Sequence, residues 1–70
     1  MPESNTYPVT ELVGTSTQGI DDAIRNAVDR AGTTLRHLDW FEVTSISGHI
    51  ADGGVAHYQV MMKVGFRYDD

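Results

Sequence analysis

Seventy residues make one domain, and a chain this short buries only about 60% of its unfolded surface, so a lone copy would be marginally stable. The absence of cysteine excludes disulfides and thiolate metal sites, which leaves self-association as the stabilising device. A net charge of −5 argues against nucleic acid or an anionic membrane surface as partner.

Residues 1–6, MPESNT, are polar and are expected to be flexible. They show neither the basic start nor the apolar stretch of a signal peptide. No apolar run approaches the roughly 20 residues of a membrane span, so a soluble, cytoplasmic protein is expected. No linker, repeat or low-complexity tract divides the chain, and residues 1–70 are read as a single domain. From Tyr7 to Val13 the β-branched content predicts a short strand, with Pro8 suited to its end or to a sheet edge. Gly14 breaks that pattern, and Ser16 or Thr17 can cap a helix. Ile20, Ala23, Ile24, Ala27, Val28, Ala31, Leu35 and Leu38 follow at the 3–4 spacing of one buried stripe, which predicts a helix over about residues 18–36. Asp21 and Asp22 fall in its first turn, where they complement the helix dipole.

The remainder reads as a β-hairpin. Asp52-Gly53 is a dipeptide that favours a type I′ turn. Ala56, Tyr58, Val60, Met62, Val64, Phe66 and Tyr68 alternate with a more polar set, so the last strand has one apolar face. The order β-α-β-β gives an α+β fold in which one helix covers one face of a three-stranded antiparallel sheet.

With Asp52 and Gly53 as the two turn residues, Ala51 pairs with Gly54. Counting outward sets Val43 opposite Met62, Glu42 opposite Lys63, Phe41 opposite Val64, Trp40 opposite Gly65, Asp39 opposite Phe66 and Ile46 opposite Gln59. A bulge would change this pairing without changing the alternation of the last strand. Directly opposed residues share a face. Phe41 and Val43 are therefore expected beneath the helix, and Trp40 beside Gln59, Lys63, Gly65 and Arg67 on the open face. Ile46, Ile50, Val55 and Met61 are expected on that open face too, more apolar surface than a wet face carries without a partner or ligand. Gly65, lacking a side chain, lets a flat group approach the indole. An aromatic ring with an amide, Gln59, and two cations, Lys63 and Arg67, suits a planar, hydrogen-bonding, anionic ligand. The register sets His49 and His57 on opposite faces, which argues against a shared metal, and no metal site is expected.

Four motifs in succession, ELVGTS, DDAIRNAVDRA, LRHLDWFEV and YQVMMKVGFR, resemble the dodecins from about Tyr7 to Tyr68. That resemblance implies a sheet wrapped around the helix and a hollow homododecamer. It implies flavin binding, usually FMN, with two stacked flavins held between tryptophans of different subunits. Trp40 then corresponds to the stacking tryptophan, Gln59 to the residue that hydrogen-bonds the ring edge, and Arg67 to a contact of the phosphate-bearing tail. Coenzyme A is a further ligand of some members. Where many members have an arginine before the glycine of the second strand, this chain has Ser47, which leaves the choice among FMN, riboflavin and FAD open.

A non-catalytic, flavin-storing and photoprotective protein follows from the resemblance. No nucleophile–base–orienter set supports an enzyme, although Asp39 and Glu42 are placed near Trp40. The alternatives are a flavin-dependent enzyme and a purely structural shell in which Trp40 packs against another subunit.

Overall fold

A computed structural model describes residues 6–67. Strand β1 (Val9–Ser16), helix α1 (Ile20–Ala31), strand β2 (Leu38–Ala51) and strand β3 (Gly54–Phe66) follow in that order. The three strands form one antiparallel sheet in the order β1-β3-β2. The β-α-β-β architecture thus stands as expected. Residues 1–5 and Tyr68 lie outside the described residues, so neither the expected flexible start nor the place of Tyr68 on the apolar face is addressed. Among the described residues no helix is long and apolar enough to cross a membrane.

The core is built from small residues on the helix and branched or flexible ones on the sheet. Ala23 and Ala27 pack against Val60, Met62 and Val64, with Leu12, Ile20, Ile24, Val28, Leu38 and Val43 around them, and Ala31 is buried one turn further along the helix. The alanine stripe allows close approach, and Gly14 completes it. A Cβ at Gly14 would collide with the carbonyl oxygen of Ala23 and lie 2.9 Å from the Ala27 methyl. Gly14 is therefore inside β1, where the helix passes closest, and does not end the strand as expected.

The helix is also shorter than its apolar periodicity suggested. Thr33 and Thr34 donate their backbone N–H groups to Arg30 and Ala31 carbonyls, each at 3.1 Å. The Thr33 and Thr34 hydroxyls bond the same two carbonyls at 2.7 and 3.5 Å. Tightened i→i−3 bonding and hydroxyl capping satisfy the last carbonyls and stop the helix. His37, at φ 62°, then turns the chain into β2. At the other end Gly19 is the N-cap and supplies no side-chain bond. Ser16 acts one step earlier: its hydroxyl accepts from the Gln18 and Gly19 amides at 2.8 and 3.4 Å and donates to Asp22 at 2.7 Å.

The hairpin turn is the type I′ turn expected, with φ of 54° at Asp52 and 79° at Gly53. Ala51 and Ile50 pair with Gly54 and Val55 as counted. Beyond that, two bulges intervene. Ala56 is the extra residue on β3, so His49 pairs with His57; Thr44 is the extra residue on β2, and its hydroxyl bonds the Met61 carbonyl at 3.2 Å. The slips cancel, and Val43, Glu42, Phe41 and Trp40 recover the counted partners Met62, Lys63, Val64 and Gly65. A further shift pairs Phe66 with Leu38 where Asp39 was expected.

Between the bulges every residue of β2 changes face. Ile46 pairs with Val60, not Gln59, and so moves to the helix side. Ile50 follows by alternation, with Val55 opposite it. Phe41 keeps the expected side but not the expected burial. The helix lies closest to β1 and β3, and no Cα of β2 comes within 8 Å of it; Phe41 is 50% exposed.

Candidate ligand-binding face

The face turned away from the helix can be read in rows across the sheet, β1 to β3 to β2. Val9, Gly65 and Trp40 form one row; Glu11, Lys63 and Glu42 the next; Val13, Met61 and Ser45 the third; Thr15, Gln59 and Ser47 the fourth. His57 and His49 follow, beyond the end of β1. Of the apolar residues expected here, Trp40 and Met61 remain. β1 contributes two that sequence reasoning missed, Val9 and Val13, because no local signal specifies which residues of β3 a remote strand will face.

The first row carries a shaped aromatic surface. A Cβ at Gly65 would fall on the indole atoms Cε2, Nε1 and Cζ2 of Trp40. The indole therefore lies across the backbone of β3, and glycine is what admits it there. Trp40 remains 41% exposed, flanked by the half-exposed Val9. A flat, apolar, solvent-facing platform of this kind suits a planar ring, which would gain burial and offset stacking.

Lys63 pairs directly with Glu11 on one side and Glu42 on the other. Two carboxylate residues thus neighbour the chain's single lysine across the sheet. Arg67 differs: it is exposed, two residues beyond Gly65 at the Trp40 end, and its backbone N–H donates to the His37 carbonyl at 3.0 Å.

Gln59 and Ser47 are opposed on the same face, but not next to the indole. Gln59 lies six positions before Gly65 on β3, about 20 Å of strand at about 3.3 Å per residue. Trp40 and Gln59 of one chain therefore share a face without sharing a site, which corrects the expectation that they lie side by side. A ring stacked on Trp40 can reach a Gln59 only if another copy supplies it.

Recesses also mark the surface among the described residues. One, of about 630 Å³, runs between β1 and α1 and is lined by Thr10, Leu12, Asn26, Arg30, Thr34 and Leu35 among others. A smaller one, of about 140 Å³, lies at the start of β2 between Val28, Leu38, Asp39, Trp40, Phe41 and Val64.

The family model for Dodecin matches residues 6–69. A dodecin of Thermus thermophilus is 55% identical over 64 residues, covering 91% of this chain and 93% of its own length. The structure of a dodecin from Streptomyces coelicolor superposes with a TM-score of 0.90 at 62% identity, covering 97% of this chain and 99% of that one. A dodecin from Streptomyces davaonensis gives a TM-score of 0.90 at 59% identity, covering 96% of this chain and all of that one.

Proposed function

The chain belongs to the dodecin family, and from that premise we propose that it stores flavin, FMN foremost, in a homododecamer without turning it over. The observation that carries the reading is the indole of Trp40 lying across Gly65 on a half-exposed face. A bound flavin brings a planar, light-absorbing and redox-active ring. The chain's own residues then have distinct tasks. Trp40 stacks on the ring, excludes water from one face and, as an electron-rich indole, quenches the excited flavin. Gln59 of a neighbouring copy offers an amide donor and acceptor to the polar ring edge. Arg67, exposed just beyond the Trp40 end, takes the phosphate-bearing tail in preference to Lys63, whose strand neighbours Glu11 and Glu42 are acidic. Ser47, opposite Gln59, gives a hydroxyl where a cation would tighten the hold on phosphate, so discrimination of FMN from riboflavin rests on Arg67.

Assembly is part of the reading, because one chain cannot bring Trp40 and Gln59 to one ring. Symmetry that closes two platforms on a stacked pair of flavins converts open half-sites into an enclosed pocket. It also covers the exposed apolar residues of that face, Val9, Val13 and Met61. A ring covered on both faces leaves no place for a substrate, so storage and protection from light follow, and not catalysis. The test is the absorption spectrum and native mass of the purified protein after incubation with FMN. A flavin-loaded dodecamer is expected; a colourless assembly that takes up no flavin would leave the structural shell as the better account.

A further inference from the structure

We infer that His49 and His57 form a two-imidazole site for a divalent transition-metal ion of the zinc, nickel and copper class, on the sheet face at the hairpin end. The two residues are directly opposed across β2 and β3, with ring centroids 5.7 Å apart and planes 18° from parallel. They share a face only because of the Ala56 bulge; without it, simple alternation would set them on opposite sides of the sheet.

The spacing suits chelation. With metal–nitrogen bonds of about 2.1 Å and tetrahedral angles, the centroids of two ligating imidazoles come to about 5 Å apart. The observed pair needs less than about 1 Å of closure and a turn of each ring about χ2, a broad and soft torsion. The backbone beneath is held close. A Cβ at Gly48, beside His49, would lie 2.7 Å from the His57 carbonyl oxygen, so only glycine permits this strand approach.

The surroundings leave room for the rest of a coordination shell. β1 ends at Ser16, opposite Tyr58, so no third strand covers His57. A recess of about 280 Å³ lies there, lined by Thr15, Ser16, Thr17 and His57. It has space for waters, with the hydroxyl residues Thr15 and Thr17 in its lining. Among the described residues no group of three or more metal-ligating side chains comes together, so the ion takes two protein ligands and completes its shell with water. Imidazole nitrogen selects borderline transition ions over calcium and magnesium, which require oxygen. The net charge of −5 favours a cation throughout.

The test is calorimetric titration of the full chain with Zn²⁺, with flavin absent, on the wild type and on His49→Gln, His57→Gln and His37→Gln. Circular dichroism and native mass establish that each variant is folded and assembled. One Zn²⁺ per chain is expected, with at least a tenfold loss of affinity in His49→Gln and in His57→Gln and none in His37→Gln. Histidine ring NMR signals in the wild type provide a second reading: those of His49 and His57 shift together on adding Zn²⁺. Absence of binding up to millimolar free Zn²⁺, or equal binding by folded His49→Gln and His57→Gln, would overturn the site.

Discussion

Gly65→Ala separates the role of the platform from that of the fold. The added methyl falls on the five-membered edge and adjacent ring carbon of the Trp40 indole, so the ring must leave its place. Overpacking a closed core costs about 1–3 kcal/mol. Trp40 is 41% exposed and can tip outward, which sets the cost here near the bottom of that range, about 1 kcal/mol. Ligand binding should respond more strongly. Stacking a base on an aromatic side chain is worth about 1–3 kcal/mol, so displacing the indole weakens flavin binding roughly 5- to 150-fold. Quenching of flavin emission measures the affinity, and urea unfolding at fixed protein concentration measures the stability. Because Gly65 acts through Trp40, the two substitutions must not add: Gly65→Ala/Trp40→Ala should bind no more weakly than Trp40→Ala alone. Wild-type affinity in a folded Gly65→Ala protein, or losses that sum, would refute the reasoning.

Mixing chains tests the separation of Trp40 from Gln59. Trp40→Ala and Gln59→Ala homo-oligomers should each bind flavin poorly, and refolding the two together should restore a fraction of tight sites, counted by quenching amplitude. Gly14→Ala forces a methyl into the helix backbone at Ala23; a loss of about 1–3 kcal/mol is expected in urea unfolding. Gly19 is the helix N-cap, where glycine is preferred over alanine, so Gly19→Ala should cost about 0.5–1 kcal/mol by the same measurement although its Cβ meets nothing within 4 Å. Gly53→Val imposes a β-branched side chain at φ 79° and should cost about 1–2 kcal/mol, read as a lower unfolding midpoint.

Much of this architecture is legible in residue spacing, and the failures have identifiable physical causes. The alanine positions 23, 27 and 31 mark the buried stripe, and Asp52-Gly53 marks the turn. The same stripe runs on through Leu35 and Leu38, yet the helix ends at Ala31, because Thr33 and Thr34 bond the terminal carbonyls. Leu38 still packs on the core, but from the first position of β2. The pairing of Trp40 with Gly65 is right because two bulges, at Ala56 and Thr44, offset each other. Neither residue carries a local signature of a bulge, so simple alternation sets Ile46 on the wrong face and separates His49 from His57. The partners of β1 depend on a contact between distant parts of the chain, which hid Val9 and Val13. Gln59 was legible as a residue of the right face, while its distance from Trp40 emerges only from counting rows along β3.

The most direct test of the central claim is titration of FMN with the wild-type protein, followed by flavin emission. Stacking on Trp40 predicts emission falling nearly to zero and saturating at one flavin per chain. Emission that stays unchanged in excess protein, or that is quenched equally by folded Trp40→Ala, would contradict it.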